Sequence, residues 1–376
     1  MRTSLSTTVL GVDDLTTVIA DVGLDAFMDE LIEVLGTEIG NFDPAKVEDQ
    51  IRSGFNYHDP EHGLVEWMPT MATGEVVSVK TVGYHPANPG RRGIPSVLAT
   101  TALYDTTNGS LTTICEATLL TALRTGAASA IVTDVATSPD PITLGVVGCG
   151  AQAVTQIHAI SRVRKIARLV VTDTNPLVAT SLAARLPDGL PTPDIVDSDT
   201  FDQTIGDFDV ICTCTSVAIG EGPVVRLAGA RANLHINAVG ADFPGKTELP
   251  LDYLRTSTVI PDVVGQCLIE GECQVLDQSE LGPSMAELLS EPDRHLVDSP
   301  TVFDSTGWSY EDLLAAQLFG RHAQRLGLGT SVALQRLPID PYDPYETLRL
   351  AEGRRVTQPI AELESNEGSA LVRDLG

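Results

Sequence analysis

The run Ile142 to Val163, ITLGVVGCGAQAVTQIHAISRV, limits what this chain can fold into more than any other stretch. Ile142 to Val147 is largely apolar and reads as a buried strand, and Ala151 to Val163 reads as a helix. Between and within them, Gly148, Gly150 and Ala153 satisfy the pattern G-x-G-x-x-A. In a dinucleotide-binding unit the first glycine permits a tight turn, the second lets backbone approach a pyrophosphate, and the small third residue lets helix pack on strand. The helix N-terminus adds unpaired N–H groups and partial positive charge. A second strand, Ala167 to Val171, leads to Asp173, about 20 residues on, where an acid can bind a ribose 2′-OH and repel a 2′-phosphate. This sequel favours NAD over NADP and separates the pattern from a glycine-rich turn that binds nothing.

At 376 residues the chain is long enough for two domains. Its net charge of −27 repels nucleic acid and anionic membranes, so neither is an expected partner. The 24 basic residues are only four lysines (Lys46, Lys80, Lys165, Lys246) and twenty arginines, while the acids are spread along the whole chain. Such an acidic, lysine-poor surface suits high salt, which screens self-repulsion. The first residues, MRTSLSTTVLGVDDL, lack the apolar core of a signal peptide, and no stretch reaches the ~20 apolar residues of a membrane span. Six cysteines in a chain of this length make no disulfide scaffold. Cys212 and Cys214 alternate onto one face of a strand, and Cys267 and Cys273 lack neighbours at zinc-site spacing. The expectation is a cytoplasmic protein with reduced thiols and no metal.

In order, Leu15 to Ile39 reads as helix and Ser53 to Met71 as strand and turn, with a turn through His58 to Gly63. Gly74 to Val82 reads as a strand, His85 to Pro95 as a loop, and Ser96 to Tyr104 and Leu111 to Glu116 as a strand pair. Ala117 to Ala136 is a long helix rich in small residues, suited to close packing between two domains. Further strands are expected at Val210–Thr215, Asn233–Val239 and Ser257–Ile260, and a helix at Ser309–Leu326. The fold class is therefore α/β: a doubly wound Rossmann domain combined with a mixed α+β domain.

Ligands bind an open parallel sheet beyond the carboxyl ends of its strands. Asp242, just past the strand ending at Gly240, is placed to exchange a proton while hydride moves; pairing with Lys246 or capping its own turn is the alternative. Arg52, Lys80 and Arg124 are cations near turns or on apolar elements. Arg124 interrupts an apolar helix face, where an unpaired charge is costly, so it needs an anionic partner. The three could hold a substrate carboxylate, or they could be salt bridges to some of the many acids.

EWMP at Glu66–Pro69, SVKTVGYHPANP around Lys80, LTALRTGAASA at Leu120–Ala130, GVVGCGAQA at Gly145–Ala153, NAVGADFPGKTEL at Asn237–Leu249 and DSTGWSYEDL at Asp304–Leu313 resemble the ornithine cyclodeaminase and mu-crystallin family. The likeness runs from about Leu15 to about Gly327. It implies a substrate-binding and dimerisation domain of residues 1–125, rejoined by 318–376, with a Rossmann NAD-binding domain of 126–317 between, in a homodimer. The implied reaction takes L-ornithine to L-proline and ammonia: bound NAD+ accepts the α-hydride, the δ-amine attacks the imine, ammonia leaves, and the cyclic imine is reduced.

By the same resemblance, Arg52, Lys80 and Arg124 hold the substrate carboxylate, Glu66 lies near the amine and Asp242 is the acid–base group. Gly148, Gly150, Ala151, Gln152 and Asp173 contact the dinucleotide, with Thr125 near its phosphates. The loop FNYHDPEHGLVEWMP is longer and more aromatic than a plain ornithine enzyme needs, and Trp67 replaces a smaller residue, both near the implied amine site. The family also contains NAD(P)-dependent alanine and other amino-acid dehydrogenases, cyclic imine and ketimine reductases, and a crystallin without turnover.

The charge balance gives the first prediction. Melting temperature should rise from low to molar salt as repulsion is screened; a flat or falling series in thermal melts contradicts a salt-adapted surface.

Overall fold

The computed structural model describes residues 4–291, 296–338 and 340–351. The 15 strands among the described residues fall into two sheets. In the first part of the chain these are β1 (Ser4–Leu10), β2 (Val47–Asp49), β3 (Ser53–Tyr57), β4 (Gly63–Ala72), β5 (Val76–Tyr84), β6 (Val97–Asp105) and β7 (Leu111–Glu116). Then follow β8 (Ile142–Val147), β9 (Ile166–Thr172), β10 (Asp194–Ile195), β11 (Val210–Thr213), β12 (His235–Ala238), β13 (Thr258–Pro261), β14 (Thr301–Asp304) and β15 (Thr330–Arg336).

The second sheet has the order β10-β9-β8-β11-β12-β14-β13 and is parallel throughout. Its central strands β8, β11, β12 and β14 are short and almost wholly buried because both faces are covered, as parallel sheets require, while β10 at the edge is exposed. The order reverses at β8, where the glycine loop lies, as in a Rossmann fold.

The first sheet has the order β15-β1-β7-β6-β5-β4-β2, with β3 also paired to β4. Its β4, β5 and β6 form a long antiparallel meander with Lys80 opposite Met68 and Val82 opposite Glu66. Alternation therefore puts Glu66, Met68, Lys80, Val82 and Tyr84 on one face.

Helix Thr118–Ala136 joins the two sheets and is buried on nearly all sides from Leu120 onward. It is the one described helix long and apolar enough to cross a membrane, but most of it is enclosed by the fold. Its packing depends on Gly126: a Cβ there would lie 2.5 Å from the Thr155 carbonyl oxygen on helix Ala151–Val163. Two helices can approach this closely only where a side chain is absent.

Several expectations change in detail. The helix expected over Leu15–Ile39 is two helices, Val12–Val22 and Leu24–Gly40, because Gly23 at φ +92° breaks the run. The His85–Pro95 loop contains a short helix, Asn88–Arg92. Five strands were not anticipated: the short β2 and β10, β14, which inserts between β12 and β13, and β1 and β15, which pair with each other. The chain thus returns to the first sheet after helix Ser309–Leu326, which ends in a left-handed Gly327. Most of the expected C-terminal tail, residues 352–376, lies outside the described residues.

Gly126→Val should force the two helices apart and cost about 1–3 kcal/mol, the usual price of overpacking. Urea unfolding measures this, and full retention of stability would contradict the close approach.

Candidate active site

The inner face of β4 and β5, the bridging helix and the start of helix Ser309–Leu326 converge on one buried cluster of charge. Lys80 Nζ lies 3.0 Å from both carboxylate oxygens of Asp312. Arg124 donates from Nε to the same carboxylate at 2.9 Å and from Nη1 to Glu311 at 3.0 Å. The anionic partner that Arg124 needs is therefore a pair of adjacent acids in the first turn of the returning helix. Burial pulls Lys80 down to about 8 against the attraction of Asp312, and burial pushes Glu311 above its ordinary value against the attraction of Arg124.

Arg52 sits at the edge of this cluster. Its Nε is 3.1 Å from Glu270, and its Nη2 donates to the carbonyls of Thr306 and Gly307. Gly307, at φ +94°, is in contact with Arg124: a Cβ there would fall 2.7–2.8 Å from the guanidinium nitrogens. Among the described residues, Arg124 Nη2 and Arg52 Nη1 have no hydrogen-bond partner, so each arginine keeps a donor group for an incoming anion. A cavity of about 200 Å³ opens at Arg52, lined also by Met68, Gln266 and Trp308. A larger cleft of about 370 Å³, between Glu30 and Arg325 on the outer helices, touches none of these residues.

Opposite the cations stand carboxylates. Glu66 is raised by burial, opposed by Arg52 and reinforced by Asp242. Glu270 is pushed up to about 8 by burial, against Arg52, with Asp242 and Glu66 adding to the rise. Asp242 is half-exposed and accepts from Lys246 at 3.0 Å, while Lys246 lies 4.9 Å from the centre of the Tyr84 ring. The pairing with Lys246 and the position beside Glu66 and Glu270 thus hold together. The expected set Arg52, Glu66, Lys80, Arg124 and Asp242 comes together in one place, joined by Asp312, Glu311, Glu270, Lys246 and Tyr84. Trp67 does not join them. It alternates to the opposite face of β4 from Glu66 and packs edge-on against exposed Phe55, so the expectation that it borders the amine site is corrected.

The glycine loop lies at the carboxyl end of β8. Gly148 has φ +90°, and a Cβ would strike the Cys214 carbonyl at 2.8 Å; beside Gly150 there is open space instead. Ala153 is fully buried against the strand. Ala151 and Gln152 begin the helix, and Gln152 accepts from Thr155. Asp173 Oδ2 accepts from the Cys149 amide at 2.7 Å, which fixes the carboxylate beside the loop. Thr125, next to Arg124, accepts from Gln156 of the loop's helix through its carbonyl. Arg164 and Arg168, which could otherwise reach a 2′-phosphate, are engaged elsewhere, with Asp134 and Thr137 and with Asp194 respectively. These residues fit a dinucleotide: a cradle without side chains, a helix N-terminus and an acid at the strand end.

Buried acids missing from the sequence reading hold the loops around the site. Glu248 accepts from the amides of Thr215 and Gly240, and Glu272 from those of Glu248 and Leu249. The signal that could have revealed them is an acid beside apolar residues, as Glu248 before Leu249 in KTELPL and Glu272 before Cys273 in EGECQVL.

The ornithine cyclodeaminase/mu-crystallin family model matches residues 12–324. The chain belongs to this family. It is 37% identical to the L-lysine cyclodeaminase of Streptomyces rapamycinicus over 347 residues, covering 91% of this chain and 99% of that protein. A solved structure of a lysine cyclodeaminase, described as recognising L-lysine, L-ornithine and L-2,4-diaminobutyric acid, superposes with a TM-score of 0.87 at 43% identity, covering 91% of this chain and 99% of that one. An archaeal alanine dehydrogenase dimer with bound NAD gives 0.77 at 25% identity, covering 88% and 100%.

The space beside Gly150 yields a direct test. Gly150→Val has room in the free protein, so the melting temperature should hardly move, while NAD binding should weaken about tenfold or more, about 1.4 kcal/mol. Calorimetric titration measures it; unchanged affinity contradicts a cofactor at this loop.

Proposed function

We propose that this protein is an NAD-dependent cyclodeaminase of α,ω-diamino acids, with L-lysine as the preferred substrate and L-ornithine as the next. The observation that carries the proposal is the polarity of the site: unspent arginine donors at one end, and Glu66 with Asp242 at the other. A diamino acid carries a carboxylate at one end and a second ammonium at the other, and needs both. Alanine or a simple imino acid has nothing to pair with the carboxylates. The likeness to lysine cyclodeaminase supports lysine ahead of the ornithine expected from the family resemblance.

In this reading Arg52, Lys80 and Arg124 hold the carboxylate and fix the α-carbon, which removes much of the entropic barrier. Glu66 holds the ω-amine, and Glu270 holds Arg52. Asp242 takes a proton at the substrate nitrogen and returns it when ammonia departs. Gly148, Gly150, Ala151, Gln152, Thr125 and Asp173 would hold NAD, which when bound supplies a hydride acceptor and then the donor. The chain's own contribution is orientation and charge.

With catalytic NAD+ and L-lysine or L-ornithine, the protein should release ammonia with the matching cyclic amino acid and no accumulation of NADH. Stoichiometric NADH would instead favour the amino-acid dehydrogenase reading. Asp242→Asn should lower turnover by about 10²–10⁴-fold and leave NAD affinity unchanged. Near-normal turnover would reduce Asp242 to a partner of Lys246.

A further inference from the structure

Behind the site lies a second buried cluster that the proposed chemistry does not use. Cys267 ends the short helix Val264–Cys267, Cys273 sits in the 3-10 turn Glu272–Val275, and Asp304 is the last residue of β14. All three are enclosed, Asp304 being 1% exposed. The two sulfurs and a carboxylate oxygen of Asp304 lie within 4.8 Å of one another. Asp304 Oδ2 accepts from the Cys273 amide at 2.8 Å, whereas Oδ1 is buried without a hydrogen-bond partner. A carboxylate oxygen is not left unpaired in a protein interior without cost. Asp262, also buried, places Oδ1 3.1 Å from Cys267 Sγ. Gly271, at φ +79°, passes so near that a Cβ would lie 2.6–2.7 Å from both Asp304 oxygens.

We propose that Cys267, Cys273 and Asp304 bind a zinc ion, with water in the fourth position. Two thiolates select a borderline-soft cation over magnesium or calcium. Zinc–sulfur and zinc–oxygen bonds of about 2.3 and 2.1 Å put tetrahedral ligand atoms roughly 3.3–3.8 Å apart. The cluster reaches that spacing by a modest contraction. Binding releases the two thiol protons to solvent. The position gives the ion a structural task. Asp262 Oδ2 accepts from the Gly307 amide at 2.6 Å, and the carbonyls of Thr306 and Gly307 hold Arg52. The ion staples the Asp304–Gly307 segment, which supplies Arg52 with its acceptors. This inference does not depend on the substrate or on NAD.

The test uses the full chain, reduced with a phosphine, stripped with a chelator and titrated with Co2+ or Zn2+ alone. One Co2+ per chain should produce thiolate-to-cobalt charge-transfer absorption with tetrahedral d–d bands, displaced by zinc. Cys267→Ser and Cys273→Ser should each abolish the bands, and zinc should raise the melting temperature of the parent protein only. X-ray absorption of the zinc-loaded parent needs no variant and should show two sulfur and two oxygen neighbours. A weak octahedral cobalt spectrum, bands that survive both serine variants, or a zinc shell of oxygen and nitrogen alone would overturn the proposal.

Discussion

The carboxylate of Asp312 is the point on which the site depends. It takes hydrogen bonds from Lys80 on β5 and from Arg124 on the bridging helix, while itself belonging to the first turn of the returning helix. A buried ammonium and a buried guanidinium would each be costly alone, and one shared acceptor offsets both. Three elements remote in sequence are thereby locked at one spot. Glu311 completes the pairing of Arg124, and Glu270 plays the same part for Arg52. The cations are thus held by the protein before any ligand arrives, with Arg52 Nη1 and Arg124 Nη2 left over. Pre-positioned charge of this kind costs no reorganisation when substrate binds.

The bridging helix transmits that order to the other half of the site. Gly126 lets it touch helix Ala151–Val163, whose N-terminus is the glycine loop. Two residues away, Arg124 belongs to the charge cluster, and Thr125 between them bonds to Gln156. Farther along, Thr133 accepts from Asn237 of β12, and Asn237 in turn bonds to His235, so the helix is also fixed to the parallel sheet by a buried polar chain. At the carboxyl ends of the strands, Glu248 and Glu272 fasten the loops through backbone amides rather than through cations.

Much of this was legible in the sequence where local periodicity or turn chemistry decides. The βα unit at Ile142–Val163 and the helix Ser309–Leu326 have the ends the pattern indicates. The strands β1, β14 and β15 were not visible, because SLSTTVL and TSVALQR carry polar residues at most positions and TVFD is only four residues long. Their structure comes from partners distant in the chain. In the site, Arg124 announced its need for an anion, but which acid answers it is a tertiary fact: Asp312 is 188 residues away. Glu270 was hidden in a segment without periodicity. Cys267 and Cys273 could not be joined to Asp304 by spacing, since the third member comes from β14, 31 residues beyond Cys273 along the chain. Gly23 was lost within an apolar helical pattern, where a single positive φ is enough to divide one helix into two.

The central claim is that one carboxylate holds both buried cations, and Asp312→Asn tests it most directly because it keeps the shape and removes the charge. Equilibrium unfolding in urea should show a loss of about 3–5 kcal/mol, the cost of leaving buried charge uncompensated. A loss below about 1 kcal/mol, the worth of an exposed ion pair, would contradict the account.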